Sequence, residues 1–136
     1  MRFTTKIIVV LRDDLPTWQQ LNMTAFLSSG IAATASAIMG EPYEDAAGRS
    51  YLPMFRQPVL VFGASAEQIS AAYGRAVARD LQLAIFTEQL FSTGHDEANR
   101  AAVRELEDVA PHLTGFAFCA ERKVADAVVK GIPLHQ

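Results

Sequence analysis

Several things are scarce in this 136-residue chain. There is one cysteine, Cys119, so no internal disulfide can form, and a reducing cytoplasmic setting is the expectation. No apolar run reaches the roughly 20 residues that a membrane-spanning helix needs. The opening Met1-Arg2-Phe3-Thr4-Thr5-Lys6 leads straight into Ile7-Ile8-Val9-Val10-Leu11 and reads as a strand, without the apolar stretch and small-residue cleavage site of a signal peptide. Cations are outnumbered: the formal net charge is −3, and the arginines and lysines are scattered along the chain. Non-specific nucleic-acid binding rests on clustered Lys and Arg contacts to phosphate, so the charge does not favour tRNA, although a local basic patch would permit it. Gly-x-Ser-x-Gly, Gly-x-Gly-x-x-Gly and P-loop motifs are missing, as are repeats and low-complexity tracts.

What is present is a strand-helix alternation. Residues 6–12 form a β-branched apolar run suited to a central strand covered on both faces. Asp13-Asp14-Leu15-Pro16 breaks it. Thr17 and Gln20 fit a capping box that opens a helix to about Met39, ended by Gly40. Gly30 in its middle suggests close packing on the sheet. Polar turn residues between Tyr43 and Tyr51 suggest a small hairpin or ordered loop in 41–56. Gln57–Phe62 reads as a second buried strand. A Ser65/Gln68 capping box begins a helix to about Asp80, with Ile69, Ala72, Tyr73 and Ala76 inward. Gln82–Thr87 reads as a third strand and 88–95 as a polar loop. Asp96 is placed to cap a third helix that Pro111 closes. Leu113–Cys119 reads as a fourth strand and 121–130 as a last helix, with Gly131 just beyond it. This order predicts one three-layer α/β domain over residues 1–136.

Ligands of open α/β sheets sit beyond the C-terminal strand ends. Those ends carry Arg12-Asp13-Asp14, Gly63-Ala64-Ser65 and Thr87-Glu88. Asn22, Phe26 and Ser29 share one face of the first helix, polar at both ends. Each residue also has a structural reading. Asp13 and Asp14 would offset the helix dipole, Ser29 would bond its own backbone, and Glu88 would pair with an arginine such as Arg12. The catalytic candidates are Glu88, His95 and Asn22. The binding candidates are Arg12, Asp13, Thr24, Ser29, Thr87, Thr93, Asn99 and Arg100. No metal site or cofactor is expected: His95, Asp96 and Asn99 lie close together, but His112 and His135 are far off in sequence.

Lys6-Ile7-Ile8-Val9-Val10-Leu11-Arg12-Asp13-Asp14-Leu15 resembles the opening strand of peptidyl-tRNA hydrolase II. Gln57-Pro58-Val59-Leu60-Val61-Phe62 is similar to a later strand of that family, and Lys123–His135 to its final helix and tail. The chain resembles more closely still an uncharacterised bacterial family, a domain of unknown function related to that fold. The resemblance covers most of the chain outside 40–56 and 89–111. It implies a three-layer α/β/α sandwich with a four-stranded mixed sheet, and a homodimer. It also implies an altered site. Where the enzymes carry Gly-Lys-x-Ala-x-Gln-x-x-His, Asn22 falls on the lysine, Phe26 on the glutamine and Ser29 on the histidine, allowing one inserted residue; Glu88 falls on an aspartate. An asparagine offers neutral hydrogen bonds in place of a cation. Three functions follow as expectations: a diverged relative binding a small molecule or peptide at the rim, a hydrolase using Glu88 or His95 as general base, or an interaction protein.

Overall fold

The structure, a computed structural model, describes residues 3–136. Its elements in chain order are β1 (Thr5–Arg12), α1 (Thr17–Thr34), β2 (Tyr43–Glu44), β3 (Ser50–Tyr51), β4 (Val59–Ala64), α2 (Ala66–Ala78), β5 (Ala84–Thr87), α3 (Asp96–Arg104), β6 (Leu113–Glu121) and α4 (Arg122–Val128). Short 3₁₀ turns cover Ser36–Ile38, Glu88–Ser92 and Ala110–His112.

The main sheet has the order β4-β1-β6-β5. β1 and β4 run parallel, while β6 runs antiparallel to both β1 and β5. The sheet is therefore mixed, as expected. Its geometry puts the C-terminal ends of β1, β4 and β5 on one rim, beside the start of β6. β1 is apolar from Ile7 to Leu11 because that stretch is buried on both faces. Ile8 and Val10 pack with Phe116, Phe118 and the inner faces of α2 and α4. Ile7, Val9 and Leu11 pack under Met23, Leu27 and Ile31 of α1. These two cores make the three layers.

α1 sits close on the sheet because two glycines admit it. A Cβ on Gly30 would stand 3.1 Å from that of Ala84, which supports the packing explanation for this mid-helix glycine. A Cβ on Gly115 would stand 2.7 Å from Met23 Sδ and 3.2 Å from the Val10 carbonyl oxygen.

Several boundaries differ from expectation. The Thr17/Gln20 capping box does not form. Pro16 occupies the cap position, and the Gln20 side chain instead donates to the Leu15 carbonyl at 2.7 Å. α1 stops at Thr34 rather than Met39, because the chain turns to bury Ile38 and to bridge Met39 with Phe55. α3 is capped by His95, whose Nδ1 accepts from the Ala98 amide at 3.2 Å; Asp96 is its first residue. By contrast, the Ser65/Gln68 capping box is present with both bonds. Residues 41–54 form the expected hairpin, all of them exposed.

The C-terminal residues cover one sheet edge. The Gly63 amide donates to the Pro133 carbonyl at 3.1 Å, and the His135 amide to the Val61 carbonyl at 2.8 Å. This pairs the tail antiparallel with β4 through Phe62 and Leu134.

Candidate functional site

The candidate residues separate into two places. Asn22, Thr93, His95 and Asn99 line one cleft of about 250 Å³, between the solvent side of α1 and the segment 90–99. Glu88, Arg12 and Asp13 sit on the rim itself, where Thr87 stays beneath the surface. Arg100 does not line the cleft itself; it pairs with Asp96, which does.

The cleft is built on aromatic edges. Phe86, buried at the end of β5, has Phe91 at 4.9 Å and Phe26 edge-on at 5.8 Å, between ring centroids. Trp18 meets Phe91 edge-on at 6.2 Å. Trp18 and Phe26 remain 61% and 53% exposed, so the cleft is open along α1. Asn22 lies one turn after Trp18 and one before Phe26, which sets its amide among the rings. Opposite, the Thr93 hydroxyl is within reach of both the Leu90 carbonyl (3.1 Å) and the Asn99 side chain. One hydroxyl has one proton. That proton serves one of two acceptors at a time, the Leu90 carbonyl or Asn99 Oδ1. Among the described residues no lysine or arginine lines the cleft; His95 and Asp96 are its ionisable members. With Nδ1 used as a helix cap, only Nε2 of His95 is available to a ligand.

Thr24 and Ser29 do not contribute hydroxyls to either place. Thr24 donates to the Gln20 carbonyl at 2.7 Å and Ser29 to the Phe26 carbonyl at 2.6 Å, both within α1.

On the rim, Arg12 forms a two-pronged pair with Asp14, at 3.1 and 2.7 Å. That hydrogen bonding raises the arginine pKa and lowers the aspartate pKa. Glu88 reinforces the charge on Arg12 through space, yet its close partner is His112, with Oε1 3.3 Å from Nδ1. The Gln89 amide reaches the same Nδ1 at 3.0 Å. A register shift between Phe86 and Thr87 bends β5 just before Glu88 and turns it toward the start of β6. Thr87 is fully buried, its hydroxyl without a hydrogen-bond partner among the described residues. Asp13 is exposed, and beside it His135 Nε2 stands 2.5 Å from Gln20 Oε1.

His112, His135 and Gln20 were not legible as rim residues. His112 needs the antiparallel β5–β6 pairing to come under Glu88, and His135 needs the tail to fold back on β4; neither leaves a local signal. Among the described residues no group of three or more His, Cys, Asp or Glu is arranged to hold a metal ion. No helix of the structure is long and apolar enough to cross a membrane.

Fold and cleft together define an α/β protein with a mixed four-stranded main sheet and an aromatic cleft on one helix. The chain belongs to the family described as protein of unknown function (DUF2000), whose match spans residues 5–136. It is similar to a solved structure of a protein of unknown function from Agrobacterium tumefaciens strain C58. That match has 43% sequence identity and a TM-score of 0.95, and covers 99% of this chain and 100% of that one. No curated protein matches the chain.

Proposed function

We propose that this chain is a diverged relative of the peptidyl-tRNA hydrolase II fold that has given up the ancestral reaction and binds a small uncharged molecule, or an aromatic side chain of a peptide, in the cleft between α1 and residues 90–99. One observation carries this reading. Trp18, Phe26, Phe86 and Phe91 line the cleft together with the neutral amides of Asn22 and Asn99, and among the described residues no lysine or arginine lines it. Rings supply apolar contact, and amides fix the orientation of a ligand carbonyl or amide. A polyanionic tRNA end would call for cations there. The single half-buried thiol, Cys119, supports a cytoplasmic setting.

The test is a titration with N-acetyl-phenylalaninamide, followed by NMR of the side-chain amides. Asn22 and Asn99 should shift on addition, and Asn22→Ala should remove the response. No perturbation by this probe or its tyrosine and leucine analogues refutes the proposal. So does release of free tRNA from an N-blocked aminoacyl-tRNA above background.

A hydrolase is the second reading, favoured by the Glu88–His112 contact at 3.3 Å. The carboxylate would hold Nδ1 protonated and leave Nε2 as the base only with the Gln89 side chain turned so that its oxygen, not its amide nitrogen, faces that Nδ1. Here the histidine is His112 rather than His95, whose ring caps a helix. Ester cleavage that survives both Glu88→Gln and His112→Ala removes it.

A further inference from the structure

We infer that a second binding site lies at the strand end opposite the rim, where a cavity beside the start of α4 takes a small monocarboxylate with an apolar body. The cavity is about 440 Å³, and Phe3, Lys6, Gln57, Leu60 and Arg122 are among the residues that line it. None of them lines the cleft between α1 and residues 90–99. Lys6 and Arg12 stand six residues apart on β1, so the cavity and the rim are separated by about 20 Å.

Strand register assembles these residues. β1 and β4 pair in parallel with Ile8 opposite Leu60. Side chains alternate across a strand, so Lys6 and Leu60 project on the side of Ile8, the face that α2 and α4 cover. β6 runs antiparallel to β1 and ends at Glu121, which brings the chain into α4 at this same end with Arg122 as its first residue. The Arg122 amide donates to the Thr4 carbonyl at 3.2 Å and ties the start of α4 to the residues before β1. Gln57 fixes the other wall. It is 9% exposed, and its Nε2 donates to the Thr5 carbonyl at 3.1 Å and reaches Thr5 Oγ1 at 3.3 Å. Walls set before a ligand arrives lose less freedom on binding it.

The charges of the lining are unequal in their needs. Lys6 already has a counter-charge, with its Nζ 2.6 Å from Asp126 Oδ1. Arg122 forms no salt bridge among the described residues. Its side chain reaches the Phe3 carbonyl through Nη1 at 3.4 Å, a long contact for a hydrogen bond. The first turn of α4 holds no acidic residue, so a cation there gains nothing from its own helix. Glu121, the preceding residue, is exposed and does not line the cavity, and neither does any other Asp or Glu among the described residues. A half-buried guanidinium thus faces a cavity with most of its N–H groups open.

One guanidinium without a counter-charge, set among apolar walls, fits one carboxylate on an apolar body. The planar fork of an arginine takes a carboxylate through two parallel N–H···O bonds. Phe3, Pro58 and Leu60 supply apolar contact for the rest of the ligand. The Phe3 ring is itself held beside the Arg56 guanidinium, 6.0 Å from the ring centroid. A dianion such as phosphate would bring a second charge with nothing to match it, because Lys6 is already paired. The volume is that of a small-molecule site.

Titration of the full chain with hexanoate, followed by NMR, tests this. The Gln57 side-chain amide and the backbone amides of Leu60 and Arg122 should shift saturably. Uncharged hexanamide and inorganic phosphate should each bind at least about tenfold more weakly, the loss expected without a two-pronged charged hydrogen bond. Arg122→Gln should weaken hexanoate by a similar factor while melting like the parent, since the backbone bond to Thr4 stays in place. The comparison of acid with amide on the parent decides the matter even for a variant that unfolds. Asn22 and Asn99 report the cleft separately, so failure at one site is distinguishable from failure at the other. No saturable shift at the three reporters by about 10 mM hexanoate overturns the inference. So does equal binding of hexanamide or phosphate, or undiminished binding by a folded Arg122→Gln.

Discussion

Gly115→Ala should loosen the seat of α1 on the sheet. The added methyl would lie 2.7 Å from Met23 Sδ, 3.1 Å from Leu27 Cδ1 and 3.2 Å from the Val10 carbonyl oxygen. Both side chains are fully buried, and the carbonyl belongs to the central strand, so nothing nearby can swing into solvent. Overpacking of this kind costs about 1–3 kcal/mol. With a urea slope of about 2 kcal/mol/M, the unfolding midpoint should fall by about 1 M. Met23→Ala alone should also destabilise, by about 2–5 kcal/mol, because it leaves a cavity. Combined with Gly115→Ala it should do less than the sum, by about 1 kcal/mol, since the new methyl occupies space that the thioether vacated. Urea unfolding followed by circular dichroism measures all four corners of this cycle. A midpoint within about 0.2 M of the parent for Gly115→Ala, or strictly additive effects, would refute the close-approach argument. The same variant should weaken ligand binding, because lifting α1 draws Asn22 and Phe26 away from Phe86.

Thr87→Val should be neutral or stabilising by up to about 1 kcal/mol, because the buried hydroxyl has no partner to lose; denaturant unfolding showing a loss greater than that sinks the idea. The tip of the β2–β3 hairpin should loosen at both ends of the pH range. The Tyr51 hydroxyl and the Arg49 amide hold the Asp45 carboxyl below its ordinary value, so this stapling is present above the usual aspartate range and is lost as pH falls through the lowered value. The same bond raises the Tyr51 phenol, so its contribution holds below the usual tyrosine value of about 10 and is lost as pH rises beyond it. Protection of the Ala47 and Arg49 amides, relative to their intrinsic exchange at each pH, should fall at the acid end; a flat protection profile contradicts the staple.

Where the chain carried local signals, they were legible. β1 announced itself as a run of β-branched residues because both of its faces are buried. The start of α2 was readable because a serine and a glutamine three residues on satisfy two amides by themselves. The end of α1 was not readable: Ala35 and Ala37 suit a helix, and what stops it is the burial of Ile38 and the bridge from Met39 to Phe55, a partner 16 positions on. The site was half legible for the same reason. Helical spacing correctly put Asn22 beside Phe26. It could not say that Thr24 and Ser29 spend their hydroxyls on their own backbone, since cap-like and ligand-facing hydroxyls look alike in sequence. His112 depended on strand pairing across 24 positions from Glu88.

The strand order has a consequence for synthesis. β1 is made first and ends up between β4 and β6, but β6 begins only at Leu113, about 100 residues after Arg12. At about 5–20 residues per second, roughly 5–20 s separate the two on the ribosome. Through that interval the most apolar strand of the protein has one edge open. Until β6 has been made, that open edge is a template on which other chains can pair.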